Sequence, residues 1–283
     1  MSQIENVAVL GAGTMGHGIA QVCAVAGMNV VLRDLNDDVL AKGVAGIEKS
    51  LAKLAEKGRI EADVPEAARR RITTTTVLAE AVSKADLVVE AIPEKMALKV
   101  ETFEAVAEHA PDHALLATNT SSLSVTEIAA ASGAPERVVG LHFFNPVPLM
   151  KLLEIVQGLG TSDATIAAAR TFAERLGKEP IVVKDFPGFA TSRLGVILGC
   201  EAIRMLEAGV ASAADIDKAM ELGYRHPMGP LRLTDLVGLD VRLAILDHLH
   251  KELGEQFRPP ALLRQMVRAG KLGRKTGEGF YTY

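Results

Sequence analysis

The chain has 283 residues, room for two domains of ordinary size, and 48% of them are apolar, which supplies a substantial core and argues against disorder. Its 31 basic and 35 acidic residues leave a net charge of −4, which argues against a nonspecific nucleic-acid binder. The two cysteines, Cys23 and Cys200, lie in no CxxC or Cys/His cluster, so neither a disulfide scaffold nor a metal site is expected. Met1 to Asn6 carry no basic or apolar leader pattern, and no apolar run approaches the ~20 residues of a membrane span. The expectation is a cytoplasmic protein, with no membrane or nucleic-acid partner.

Val7 to Leu10 is a short apolar run stopped by Gly11, read as a buried strand. Helical periodicity runs from Thr14 to Ala26 with Gly27 as its C-terminal cap, and Asn29 to Leu32 forms a second strand ending at Arg33-Asp34. Strand, helix, strand is the crossover that adjacent parallel strands require. Asn36 or Asp37 caps a long helix to Lys57, which Gly58 ends. Strands follow over Ile72–Thr75 and Leu87–Ala91, a helix over Met96–Ala110 and a strand over Ala114–Ala117. Ser124-Val125-Thr126-Glu127 has capping-box spacing. A strand from Val138 to Leu141 ends at His142, and strands Leu152–Val156 and Ile181–Val183 flank a helix over Ala164–Leu176. Repeated βα units predict an α/β fold, a Rossmann-like, doubly wound, mostly parallel sheet with helices on both faces. Beyond Thr191 the pattern is helical, over about 191–208, 213–222, 240–253 and 260–269, with breaks at 227–230 and 258–260. A boundary near residue 185 separates domain 1–185 from a smaller, all-helical domain 186–283.

Gly11-Ala12-Gly13-Thr14-Met15-Gly16 matches GxGxxG at the head of a βαβ unit. Asp34 ends the next strand 18 residues beyond Gly16, near the ~20 of dinucleotide-binding units. Gly11 permits a tight turn, Gly13 lets a pyrophosphate approach the backbone, and Gly16 lets helix and strand pack closely. The helix N-terminus, with Thr14 and Met15 in its first turn, offers free N–H groups. A glycine-rich turn with no ligand is the competing reading, and the βαβ context speaks against it. Asp34 would accept from the adenosine ribose hydroxyls. Asp37 and Asp38 would repel a 2′-phosphate, so NAD is favoured over NADP, and Arg33 could lie over the adenine.

A second constellation falls where strands end: Asn119 and Ser121 after one, His142 at the end of the next, Glu154 in the strand after that. A histidine with a carboxylate partner is a general-base pair, and open α/β sheets gather ligands at the carboxyl ends of their strands. A lone histidine is more often a hydrogen-bonded structural residue; the convergence of Ser121, Asn119 and Glu154 sets His142 apart. Lys42, Lys49, Lys53 and Lys57 share one helix face, with Ser50 beside them. That stripe is a solvated face or a grip for a phosphorylated ligand.

Together these residues resemble the L-3-hydroxyacyl-CoA dehydrogenase family, particularly its bacterial 3-hydroxybutyryl-CoA dehydrogenases. The likeness spans the chain through Val9 to Gly16, Thr118-Asn119-Thr120-Ser121-Ser122, His142-Phe143-Phe144-Asn145-Pro146, Pro187-Gly188-Phe189, His226-Pro227-Met228-Gly229-Pro230 and Gly273 to Tyr281. It implies an NAD-dependent, reversible oxidation of a 3-hydroxyacyl-CoA and a homodimer through the helical domain. It assigns His142 as general base, Glu154 as its partner and Ser121 as a contact to substrate and cofactor. It also assigns Glu94, Lys99, Asn145 and Lys275 as NAD contacts, and Ser50 and Lys57 as CoA contacts. The chain departs from the family pattern at Ser192, where an asparagine is usual near the reacting centre; a hydroxyl reaches less far than an amide. A dehydrogenase of free 3-hydroxy acids and a noncatalytic, crystallin-like NAD-binding protein are the rival readings. With no hydratase-like segment before the chain, a multifunctional fatty-acid oxidation protein is not expected.

Overall fold

The computed structural model describes residues 4–283, so Met1 to Gln3 of the segment read for a leader lie outside the described residues. The chain divides into two compact units, one ending at Asp185 and one running from Phe186 to Tyr283.

The first unit runs β1 (Asn6–Leu10), α1 (Thr14–Val25), β2 (Asn29–Arg33), α2 (Asp37–Glu56), α3 (Val64–Arg70), β3 (Ile72–Thr75), α4 (Leu78–Val82) and β4 (Leu87–Glu90). It continues with α5 (Met96–His109), β5 (Leu115–Thr118), α6 (Val125–Ala131), β6 (Val138–Phe143), β7 (Leu152–Gln157), α7 (Asp163–Arg175) and β8 (Glu179–Lys184). The strands form one sheet in the order β3-β2-β1-β4-β5-β6-β7-β8. Every neighbouring pair is parallel except β6 and β7. Successive residues of β1 enter opposite cores: Val7 and Val9 pack with Ile19, Met28 and Leu141, while Ala8 and Leu10 pack with Val88, Phe103 and Ile128. That period of two, with both faces apolar, is the signature of a sheet sandwiched between helices.

Local signals set the helix ends. Asn36 caps α2, its side chain accepting from the Val39 N–H at 3.0 Å, and Gly58 beyond its end takes φ +62°. Ser124 caps α6 by accepting from the Glu127 N–H. The strand read as ending at His142 runs one residue further, because Phe143 pairs with Leu153 of the antiparallel β7. Two short helices, α3 and α4, stand in segments to which no helix was assigned.

The second unit is helical: α8 (Thr191–Glu207), α9 (Ala213–Gly223), α10 (Pro230–Val237), α11 (Leu239–Leu253) and α12 (Ala261–Arg268). Val196, Ile203, Leu231, Leu246, Leu249 and Leu263 form its core. The expected break at 227–230 separates α9 from α10, a helix the sequence pattern does not predict, and Pro230 opens that helix, for proline is well suited to a first helical position. The Asp217 carboxylate accepts from the Leu231 and Arg232 N–H groups at 2.8 and 3.0 Å, capping that start from α9. Gly229 is required there, since a Cβ would stand 2.2 Å from that of Asp217.

Candidate active site

The glycine-rich turn between β1 and α1 has the geometry its sequence implies. Gly11 takes φ +102°, and a Cβ there would lie 2.6 Å from the Ala91 carbonyl oxygen; a Cβ on Gly16 would collide with the Gly11 carbonyl oxygen. Gly13 differs, because a Cβ there would meet nothing within 4 Å. It is the N-terminal cap of α1 and uses no side chain for the purpose. The first N–H groups of α1 therefore border open space, as a bound pyrophosphate needs. Thr14 is exposed beside Gly13, and half-buried Met15 packs against the core.

Asp34, just past β2, reaches back to this turn. Its Oδ2 accepts from the Ala12 N–H and its Oδ1 from the Leu35 N–H, each at 2.6 Å. The carboxylate is thereby oriented beside the turn, and each oxygen retains a lone pair for a ribose hydroxyl. Arg33 is drawn to the Thr76 carbonyl at 3.3 Å, an alternative to the expected position over an adenine.

Beyond β4 lies a charged network. Glu90 is fully buried, and its Oε1 accepts from Lys99 Nζ at 2.7 Å and the Ile92 N–H at 2.8 Å, its Oε2 from the Thr118 hydroxyl at 2.7 Å. Lys99, with no exposed surface, also meets Glu94 Oε2 at 3.3 Å. Glu94 Oε1 in turn accepts from the Thr120 hydroxyl at 2.6 Å and from the Ser121 N–H and hydroxyl at 2.8 and 3.2 Å. Burial works to raise the Glu94 carboxyl, but the Lys99 ammonium and the bonds from Thr120 and Ser121 outweigh it and hold the group below the usual glutamate range. Lys99, assigned from the resemblance to direct cofactor contact, lies enclosed behind Glu94 in this structure. Glu90 was not singled out in the sequence, although a glutamate inside an apolar strand signals a buried partner.

On the other side of β5 stands the histidine. His142 and Glu154 are directly opposed in the β6–β7 ladder, so their side chains share one face. His142 Nδ1 and Glu154 Oε2 are 2.6 Å apart; the ring is 7% exposed and the glutamate fully buried. The Phe144 ring tilts against the imidazole at 4.4 Å. Asn119 Oδ1 accepts from the Phe143 N–H at 2.9 Å, tying the end of β5 to β6. Asn145 lies exposed in the link 144–151 that follows. Lys178 donates to the Val147 and Met150 carbonyls, both at 2.6 Å, and so holds this link.

Lys42, Lys49, Lys53 and Lys57 are exposed along α2 and its end, and make no ion pair among the described residues; Ser50 is half-buried beside them. Two assigned residues belong to the second unit. Ser192 is the second residue of α8 and half-buried. Lys275 Nζ bonds both carboxylate oxygens of Asp240, the longer at 2.7 Å.

A doubly wound sheet with an open glycine turn and an acidic residue at the second strand defines a dinucleotide-binding protein. Residues 6–186 match the family model for the NAD-binding domain of 3-hydroxyacyl-CoA dehydrogenase, and residues 188–283 match that for its C-terminal domain. A relative from Deinococcus radiodurans, described as a probable 3-hydroxybutyryl-CoA dehydrogenase, is 49% identical over 276 residues, covering 97% of this chain and 99% of its own. The mitochondrial hydroxyacyl-coenzyme A dehydrogenase of Sus scrofa is 46% identical over 288 residues, covering 99% and 91%. The crystal structure of (S)-3-hydroxybutyryl-CoA dehydrogenase PaaH1 from Ralstonia eutropha superposes with a TM-score of 0.95 at 44% identity, covering 99% of each chain. The chain belongs to the 3-hydroxyacyl-CoA dehydrogenase family. NAD is its cofactor, and the open turn at Gly13 with Asp34 beside it fits that group. Among the described residues, no helix is long and apolar enough to cross a membrane.

Proposed function

We propose that this chain catalyses the reversible oxidation of a short-chain (S)-3-hydroxyacyl-CoA, 3-hydroxybutyryl-CoA above all, to the 3-ketoacyl-CoA. The observation that carries the reading is the buried His142–Glu154 bond of 2.6 Å, on the strand next to the one that Ser121 follows. Glu154 holds the proton on Nδ1, and Nε2 takes the proton of the substrate's 3-hydroxyl. The carboxylate stabilises the imidazolium that forms. In reverse, the protonated ring returns the proton to the developing alkoxide. Bound at the Gly13 turn and Asp34, NAD would supply the acceptor for the hydride that leaves C3.

Ser121, fixed by Glu94, contacts the substrate beside the cofactor. Asn119, Asn145 and Lys275 contact NAD, Ser192 donates to the substrate, and Ser50 and Lys57 receive CoA, with the unpaired lysines of α2 attracting its phosphates. We also infer a cytoplasmic homodimer formed through residues 186–283. In support, Leu194, Leu222 and Tyr224 are 69%, 74% and 76% exposed, apolar surface that a second copy would cover. Cys23 and Cys200 are buried free thiols, as suits a reducing compartment.

The test is NADH oxidation with acetoacetyl-CoA against free acetoacetate. Turnover of the thioester alone is expected. Equal or better turnover of the free acid would make the chain a free-acid dehydrogenase, and NADH binding without turnover of either would make it a noncatalytic binding protein.

A further inference from the structure

Glu90 is the last residue of β4, the strand beside β1, and it is fully buried. In the ladder it stands between Leu10, the last residue of β1, and Thr118, the last of β5. The order of the sheet reverses between β1 and β4, with β2 and β3 on one side and β5 on the other. Open α/β sheets take their ligands in the crevice at such a point, outside the carboxyl ends of the strands.

The groups that Glu90 holds lead to those ends. Its Oε1 accepts from the Ile92 N–H at 2.8 Å. The glycine turn packs on the backbone of Ala91 and Ile92: the Cβ that Gly11 lacks would stand 3.3 Å from the Ile92 nitrogen and closer still to the Ala91 carbonyl oxygen. Glu90 Oε2 accepts from the Thr118 hydroxyl at 2.7 Å, and its backbone carbonyl accepts from the Asn119 N–H at 2.8 Å. Lys99 bridges Glu90 to Glu94, which in turn holds Thr120 and Ser121. One carboxylate thus fixes the segment leaving β4 on the glycine turn and, through Thr118 and Lys99, the segment leaving β5.

Stability alone does not account for this arrangement. A buried ion pair is often no better for a fold than apolar side chains of the same volume. Val88, two residues earlier and so on the same face, packs with Phe103 and Ile128, and an apolar residue at 90 would extend that core. We propose that Glu90 is a positioning residue for NAD: it sets the segments leaving β4 and β5 against the glycine turn, and NAD affinity depends on that setting. This role requires NAD at the turn and holds whichever substrate is oxidised.

The test is NADH titration by fluorescence, with amide hydrogen exchange of the NADH-free protein and urea unfolding, on the wild type, Glu90→Gln, Thr118→Val and Ser162→Ala. Glu90→Gln is expected to weaken NADH binding about tenfold. Thr118→Val, which removes one donor to Glu90 and no charge, is expected to weaken it about threefold, the scale of a single hydrogen bond. In both, exchange is expected to quicken at 91–95 and 119–122 ahead of the rest of the unit. Ser162 caps α7 beyond β7, which runs antiparallel to β6 and so ends at the opposite edge of the sheet. Ser162→Ala is expected to lower the urea midpoint with NADH affinity unchanged, so lost stability by itself does not move the binding readout. If Glu90→Gln does not fold, Thr118→Val carries the test. Wild-type NADH affinity in the folded variants, whatever their urea midpoints, would overturn the proposal and leave Glu90 a structural residue. Weaker binding with exchange raised evenly across residues 4–185 would overturn it as well.

Discussion

With Glu154 bound on the Nδ1 side of His142, proton exchange with substrate falls to Nε2, and the two residues make different predictions. His142→Gln removes the base and is expected to lower kcat by about 10²–10⁴-fold with little change in NADH affinity, read by stopped-flow and fluorescence titration. Glu154→Gln keeps a hydrogen-bonding group but loses the charge that stabilises the imidazolium, so kcat falls while the fold persists. Asp34→Ala is expected to weaken NADH use more than NADPH use, shown by the ratio of the two kcat/KM values. Glu90→Gln leaves the enclosed Lys99 with Glu94 as its only carboxylate partner. Breaking a buried pair in this way costs about 3–5 kcal/mol when a partner is lost outright and less when an amide remains, so a lower urea midpoint is expected. Glu94 itself has a lowered pKa in the fold. Its contribution to stability is therefore present above the unfolded value of about 4.3 and is lost as pH falls through the folded value.

At the scale of elements, the α2 cap is the simplest to test. Asn36→Ala removes the acceptor for the Val39 N–H and is expected to cost about 1 kcal/mol of stability in urea unfolding. Strands and long helices were legible because their apolar periods and caps are local. The short α3 and α4 were not, since seven and five residues carry too little periodicity to stand out. Helix α10 was not legible because Pro-Gly neighbours mark both breaks and beginnings, and what caps its start is Asp217, which is distant in sequence. The reversed direction of β7 did have a signal. Residues 144–151 are too few for the crossover of a dozen or more residues that a parallel neighbour needs. At the site, the His142–Glu154 pairing was readable from residue type and strand order. The burial of Lys99 was not, because it depends on what surrounds a side chain from other elements.

For the molecule as a whole, the prediction is association. Sedimentation at micromolar concentration is expected to give twice the 30.0 kDa chain mass, and replacing Leu194 by Asp is expected to shift it toward the monomer. A stable monomer in the unaltered protein would remove the dimer from the reading. Closed, isologous pairs are the commonest assemblies of soluble chains, and a small helical unit with exposed leucines is suited to one.

The base and its carboxylate are carried by two paired strands, while the link between those strands carries neither. The link is therefore a natural place for transplantation: a segment taken from a relative could replace residues 146–151, beyond the Phe144 that lies against the imidazole and beyond Asn145, while both members of the proton-transfer pair stay in place. A graft would have to keep in place the backbone carbonyls at 147 and 150 to which Lys178 donates.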